Sequence, residues 1–386
     1  MKKACVIIPT YNELGNIDKT VSQLQEVFLT IKNWQMSILV VDDTSPDKTY
    51  LKVQELQKKY KNLHLVLNKT KAGLGAAYLK GMDYAFNKLE SDVVFEFDAD
   101  LSHNPKKIPE FLKKIEQGYG LVIGSRYIPG GSIPANWGWH RKFLSRVGNL
   151  VIKIILTNFS LSDWTTGFRA ITNETYQKIN SEMRGQRFSG YTFQIGFLYK
   201  AVKKQIKIAE VPFHFQDRTI GKSKIGPEYI INSLAFLTKT RLIEFTETRV
   251  FKFLVVGSIA AVLQLVSLEL YRLLFSYQLA NFFAIETAII LNFSLNNFWT
   301  FSDRKLKTKK IPLKFIQFNL TSAGSIIIQL IVAFLGETFI GIREVMVLPI
   351  INYLLDTGPV FSATGIIIGM FWNFFAYSVI IWKKKK

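Results

Sequence analysis

The chain of 386 residues holds a single cysteine, Cys5, and only 29 acidic residues against 49 basic ones. One cysteine excludes an internal disulfide and a cluster of metal-binding thiolates. Cys5 lies in the first apolar run and reads as a small buried hydrophobe of a strand. The shortage of acid leaves a formal net charge of +20, which calls for an anionic partner. Positive mean hydropathy and 31 phenylalanines are foreign to a soluble nucleic-acid binder, so an anionic membrane surface is the better match. No secretory leader is expected at the start either. Met1-Lys2-Lys3 has its basic start, but the next apolar stretch ends at Pro9, short of the roughly 7–15 residues needed. That stretch reads as a first strand, and the N-terminal part is expected in the cytoplasm.

Up to about residue 215, short β-rich runs alternate with amphipathic helical stretches. Strands are predicted at Cys5–Pro9, Ser37–Val41, Leu63–Leu67, Asp92–Phe97, Leu121–Gly124 and Ile206–Val211. Helices are predicted from Glu13, Pro46, Leu74, Pro105 and Tyr191 onward. Continuous apolar strands separated by helices predict an α/β fold with a mostly parallel sheet covered on both faces.

From Phe251 the texture changes. Four long apolar segments follow, roughly Phe251–Phe275, Leu279–Phe301, Phe315–Leu335 and Gly358–Trp382, which predict four membrane-spanning helices. The loop at 303–314 is rich in Arg and Lys, and the chain ends in four lysines. By the positive-inside rule the N-terminal domain, this loop and the tail are expected in the cytoplasm. Between the halves, residues 226–249 place Ile230, Leu234 and Leu237 at helical spacing, and His140–Phe159 mixes cations with apolar residues. Both stretches fit an amphipathic helix in the membrane interface about as well as one packed on the soluble domain, and the interface is slightly favoured.

The strand at Asp92–Phe97, an apolar run broken by Glu96, leads into Asp98-Ala99-Asp100. Two carboxylates at the carboxyl end of a buried strand suit Mg²⁺ or Mn²⁺, which take oxygen ligands and share them with substrate phosphates. The triplet alone fits a solvated turn as well. Asp43, in Asp42-Asp43-Thr44-Ser45-Pro46, fits either turn chemistry or a contact to a base or ribose. The small residues after Lys71 open a helix that could receive phosphate or simply pack closely. Arg126, Arg141, Arg218 and Lys224 are scattered cations of the kind that bind phosphate oxygens.

Read in order, IIPTYNE, VVDDTSPDKT, GLGAAYLKG, DADLSH, GSRY, TTGFRA and DRTIGKSK resemble the polyprenyl-phosphate hexose synthases of glycosyltransferase family two. The resemblance covers about residues 4–245, while FKFLVVGS and LNFSLNNFWTF look like the four-helix membrane domain that accompanies some of these enzymes. It implies a GT-A type nucleotide-sugar domain over 1–225, an interfacial amphipathic linker over 226–250 and a four-helix transmembrane domain over 251–386. The product would be a multi-pass membrane protein with its catalytic domain in the cytoplasm.

The same resemblance implies that Pro9, Tyr11, Glu13 and Asp43 surround the nucleotide, and that Asp98 and Asp100 hold the metal on the donor diphosphate. Arg126, Arg141 and Ser145 would receive the acceptor phosphate, with Arg218 and Lys224 closing over the diphosphate. Family members often carry Gln two residues after the second Asp. Here that position is Ser102, which leaves the third metal contact to water or another group.

The implied reaction moves a hexose from a nucleotide-sugar to a dolichyl or undecaprenyl phosphate, with inversion at the anomeric carbon. Mannose from GDP-mannose is favoured over glucose from UDP-glucose. The phosphate monoester is already ionised, so no general base is required of the histidines at 64, 103, 140 and 214. The Gln-x-x-Arg-Trp string of processive polysaccharide synthases is absent. A lipid-linked sugar transporter is the rival from another class, with Glu269, Glu286, Asn292, Asn296 and Asn297 along a polar path. Oligomeric state is left open.

Overall fold

The computed structural model describes residues 1–71, 73–184, 191–217, 227–271, 273–275, 277–341, 343–348 and 353–383. Two compact units result, Met1–Arg241 and Leu242–Lys386. The first runs β1 (Lys2–Thr10), α1 (Leu14–Phe28), β2 (Trp34–Asp42), α2 (Thr49–Lys59), β3 (Leu63–Leu67), α3 (Leu74–Asn87) and β4 (Val93–Glu96). It continues with α4 (Ile108–Glu116), β5 (Leu121–Ser125), α5 (Trp139–Leu156), β6 (Arg169–Thr172), α6 (Asn173–Met183), α7 (Thr192–Lys203) and β7 (Ile208–Pro212). The division between the units falls within α8 (Pro227–Glu247).

Seven strands form one sheet in the order β3-β2-β1-β4-β6-β5-β7. All neighbours are parallel except β6, which runs antiparallel to both β4 and β5. The sheet buries both faces, since side chains alternate along a strand. On one face Ala4, Val6 and Ile8 pack with residues of α1, α2 and α4. On the other, Cys5 and Ile7 pack with α3, α5, α6 and α7. Burial pushes the Cys5 thiol up to about 12, so this side chain acts as the apolar filler expected of it.

The expected strands and helices recur with ends shifted by a few residues. Two elements of this first unit were not foreseen. β6 is four residues long and opens on Arg169, so neither an apolar run nor alternation marks it. α6 is mostly polar, its start set by Thr172, whose hydroxyl accepts from the Thr175 N–H at 3.2 Å. In α5 the apolar Trp139, Phe143, Leu144 and Ile154 stay exposed, while Ile152 and Leu156 enter the core.

The second unit contains α9 (Arg249–Tyr271), α10 (Tyr277–Leu295), α11 (Ile311–Phe339), the antiparallel pair β8 (Glu344–Leu348) and β9 (Tyr353–Asp356), and α12 (Thr357–Ala376). A short hairpin of β8 and β9 thus separates α11 from α12. α10 and α12 each finish in one π-helical turn, Asn296–Thr300 and Tyr377–Ile381. Those turns bring Phe301 and Trp382 face to face, with centroids 4.6 Å apart and planes at 7°. Counting the described residues alone, no helix is long and apolar enough to cross a membrane. The four expected spans thus rest on the sequence pattern.

The asparagines of the polar-path reading turn out to be engaged locally. Asn296 donates to the Asn292 carbonyl at 2.9 Å, and Asn297 Oδ1 accepts from Leu306 N at 2.9 Å and Trp382 Nε1 at 3.0 Å. Local bonding of this kind is how polar residues join helices. The side chain of Glu269 lies outside the described residues.

α3 approaches β1 and β2 through Gly81, where a Cβ would meet Ile7 Cγ2 at 2.6 Å and Val41 Cγ2 at 3.1 Å. Gly81→Ala gains about 1 kcal/mol of helix propensity, but overpacking costs roughly 1–3 kcal/mol. A net loss of stability is expected in thermal or denaturant unfolding of the purified chain. An unchanged or raised midpoint contradicts that packing.

Candidate active site

Loops at the carboxyl ends of β1, β2, β3, β4, β5 and β7 share one edge of the sheet, the edge at which open α/β sheets bind ligands. Because β6 is antiparallel, the segment preceding it, 157–168, arrives at this edge as well.

The β1 and β2 loops are zipped together. Asp42 is fully buried and accepts from Thr10 Oγ1 at 2.7 Å, Ser45 N at 2.7 Å and Ser45 Oγ at 2.6 Å. Asn12 N donates to Ser45 Oγ at 3.1 Å and Glu13 N to Thr49 Oγ1 at 3.0 Å. Pro9 ends up beside Val41 in the β1–β2 register, and Lys71 stands 4.1 Å over the Tyr11 ring. Glu13 accepts from Asn16 Nδ2 at 2.8 Å. Asp43 accepts from Asn68 Nδ2 at 2.6 Å and Gly73 N at 3.2 Å, which ties β2 to the start of α3. Turn chemistry therefore accounts for Asp42, while Asp43 joins three loops around the prospective pocket.

Asp98 and Asp100 follow β4. Asp98 is about one-third exposed and accepts from Tyr78 OH at 3.3 Å. Its own N–H donates to His103 Nδ1 at 3.1 Å, which leaves the proton on Nε2, 3.6 Å from Asp98 Oδ2. His103 is buried, stacked on Phe168 and edge-on to Phe97 and Phe213. Gly167 lies against the Asp98 carboxylate, 3.7 Å from where its Cβ would be. Asp100 is buried and accepts from Ser102 N at 3.1 Å. Among the described residues no group of three or more His, Cys, Asp or Glu could hold a metal. Two oriented carboxylates fit Mg²⁺ or Mn²⁺ as oxygen donors to an ion that completes its shell with water and phosphate. Ser102 spends its carbonyl on Gln216 N at 3.3 Å.

Arg126 directly follows β5 and is clamped by Asp163, with Nε to Oδ2 at 2.6 Å and Nη2 to Oδ1 at 2.7 Å. Thr165 Oγ1 accepts a further bond from Nη2 at 2.7 Å. Burial pulls the Arg126 pKa down, but the Asp163 carboxylate, by charge and hydrogen bond, outweighs it and the net shift is upward. A permanently charged guanidinium results. Arg141, on α5, lies 3.8 Å over the Trp137 ring and pairs with Asp217 at 3.2 Å. Ser145 hydrogen-bonds Tyr127 OH, next to Arg126. Burial raises the Tyr191 pKa, Arg126 and Arg141 lower it, and Asp98 and Asp163 raise it. Arg218 and Lys224 lie outside the described residues.

Several of these groups escaped the sequence reading: Tyr78, His103, Asp163, Asn68, Glu96 and Arg169. Glu96 was the one with a signal, a charged residue inside a buried strand, which demands a partner. The others have no local spacing that announces them.

Residues 5–179 match the model of glycosyl transferase family 2, and residues 252–382 match the GtrA/DPMS transmembrane domain. A dolichol-phosphate mannosyltransferase of Pyrococcus furiosus is 31% identical over 88% of this chain and 92% of its own length. The chain belongs to glycosyl transferase family 2. It is a glycosyltransferase, its α/β domain is GT-A-like, and its other half is of the GtrA/DPMS type. Two further relatives are a polyprenol monophosphomannose synthase of Mycolicibacterium smegmatis and an undecaprenyl-phosphate mannosyltransferase of Micrococcus luteus. The first is 38% identical over 58% of this chain and 82% of its own. The second is 33% identical over 61% of this chain and 93% of its own.

Burial lowers the His103 pKa, Asp98 and Asp100 pull it up, Arg126 pushes it down, and the net shift is downward. The neutral ring thus stabilises the fold fully above the ordinary value of about 6.5, and that contribution is lost as pH falls through the lowered value. The unfolding midpoint should drop more between pH 7.5 and 5.5 in the wild type than in His103→Gln. Equal slopes in the two proteins contradict this.

Proposed function

We propose that this glycosyltransferase moves mannose from GDP-mannose onto the phosphate of a membrane polyprenyl phosphate, dolichyl or undecaprenyl. The observation that carries the reading is that the loop after β4, with Asp98 and Asp100, and Arg126 after β5 share one sheet edge, and that Arg141 pairs with Asp217 beyond β7. Carboxylates that can hold a divalent ion serve the donor diphosphate; fixed guanidinium groups serve a second phosphate. The names of the three relatives favour mannose and a polyprenyl acceptor.

In this scheme a phosphate oxygen of the acceptor attacks the anomeric carbon, and the bond from that carbon to the nucleoside diphosphate breaks. Configuration inverts in the single displacement. A bound Mg²⁺ or Mn²⁺ would supply positive charge to the departing diphosphate. Asp98 and Asp100 would hold that ion, and Tyr78 and His103 fix the Asp98 carboxylate in place. Pro9, Tyr11, Glu13 and Asp43 would line the nucleotide. Arg126, immobilised by Asp163, would align the attacking phosphate with Arg141 and Ser145, while Arg218 and Lys224 would close over the diphosphate. No side chain has to remove a proton, because the acceptor arrives ionised. Rate enhancement would come from placement and fixed charge.

The acceptor's tail belongs in a bilayer. We assign residues 1–225 to the cytoplasmic catalytic domain, 226–250 to an interfacial linker and 251–386 to a domain of four membrane spans. The match to the GtrA/DPMS transmembrane domain and the basic loop at 303–314 support this. So does the exposed apolar side of α5, set among Arg141, Lys142, Arg146 and Lys153.

Asp100→Ala should lower mannosyl transfer about 100-fold or more while the protein still folds. Arg141→Ala should raise the acceptor KM about tenfold, the worth of one charge-assisted contact of ~1.5 kcal/mol, and leave the donor KM nearly unchanged. Steady-state assays with each substrate varied check both. Near-normal turnover by Asp100→Ala, or a purely donor-side defect in Arg141→Ala, contradicts the assignment.

A further inference from the structure

The sheet has a seam. β3, β2, β1 and β4 form a parallel half that carries Asp43, Asp98 and Asp100, and β6, β5 and β7 form the half that carries Arg126. The halves meet where β6 pairs antiparallel with β4, and the register pair nearest the site edge is Glu96 opposite Arg169. Both side chains are fully buried, with Arg169 Nε 3.8 Å from Glu96 Oε2. That separation is an ion pair and not a hydrogen bond.

Arg169 directs its donors elsewhere. Nε bonds the Thr166 carbonyl at 3.0 Å and Nη1 the Gln194 carbonyl at 2.9 Å. Nη2 and both Glu96 oxygens are buried without a hydrogen-bond partner among the described residues. A buried pair so poorly satisfied is a weak source of stability, because desolvation offsets most of the Coulomb attraction. Its geometry is more informative. The Thr166 carbonyl belongs to the short segment that holds Asp163 and Thr165 on Arg126 and lays Gly167 on the Asp98 carboxylate. Glu96 precedes Asp98 by two residues.

We propose that Glu96 and Arg169 form a positioning strut that sets the distance between the metal-binding carboxylates and the acceptor-side arginine, on the reading of the reaction given above. Neither residue touches substrate. The metal-binding carboxylates stand on one half of the sheet and the acceptor-side arginine on the other, so a slack strut leaves both affinities nearly intact and spoils the mutual alignment of the reacting groups. Misplacement of reacting groups by about an ångström costs on the order of 100-fold in rate.

The test is the double variant Glu96→Met with Arg169→Met, in the full chain in detergent. Replacing a buried pair by apolar residues of similar volume is commonly neutral for folding, whereas removing one partner is not. An unfolding midpoint close to wild type is expected, with kcat lowered at least tenfold and both KM values within about threefold of wild type. Hydrogen exchange should quicken in residues 163–168 and stay as it was in β1. If the double variant does not fold, Arg169→Lys replaces it: the charge remains, but lysine cannot span both carbonyls, and the same kcat loss and faster exchange are expected. A folded variant with kcat within twofold of wild type and unaltered exchange at 163–168 overturns the strut. Should the wild type itself make no lipid-linked sugar, the transfer reading falls, and the exchange measurement still decides the strut.

Discussion

One antiparallel strand in an otherwise parallel sheet gives this molecule its working edge. A parallel strand delivers its following loop to the carboxyl end, whereas β6, reversed, delivers the segment that precedes it. That reversal takes 157–168 to the same place as the loops after β4 and β5. Asp163 can then clamp Arg126, Gly167 can lie on Asp98, and Glu96 can oppose Arg169. Were β6 parallel, those contacts would form at the far end of the sheet.

Two anions have to be brought together in the proposed reaction, and their mutual repulsion is the chief obstacle. At about 4 Å, two unit charges cost roughly 4 kcal/mol at an effective dielectric of 20. The site answers with groups whose charge is settled before substrate arrives. Arg126 keeps its proton because Asp163 more than offsets burial, and His103 stays neutral because burial outweighs its carboxylate neighbours. Burial pushes the Glu96 carboxyl up to about 7, with Arg169 opposing and Asp98 reinforcing, so its charge, unlike theirs, is not settled near neutral pH.

The parallel half of the sheet was legible because its strands are unbroken apolar runs such as Cys5–Ile8 and Ile38–Val41, and the helices between them keep a 3.6-residue period. β6 and α6 were hidden by the polar residues that make them useful, Arg169 in one and the Thr172 cap in the other. Candidate site residues split in the same way. Asp98 and Asp100 stand out beside an apolar strand, and Arg126 stands at the end of another. Asp163 and Tyr78 come from other parts of the chain, and tertiary contact alone reveals them. Asp42 and Asp43 looked alike in sequence; hydrogen bonding separates the turn-former from the residue that faces three loops.

The central claim is a transfer between two phosphorylated substrates at a membrane surface. The most direct measurement supplies the purified chain with GDP-mannose labelled in the sugar, Mg²⁺ and undecaprenyl phosphate in detergent micelles, and follows label into the organic phase. The account predicts a mannosyl-phosphate lipid that accumulates with GDP and is lost when the metal is chelated. Label that stays aqueous with this donor and also with UDP-glucose, in a protein that remains folded, would contradict it.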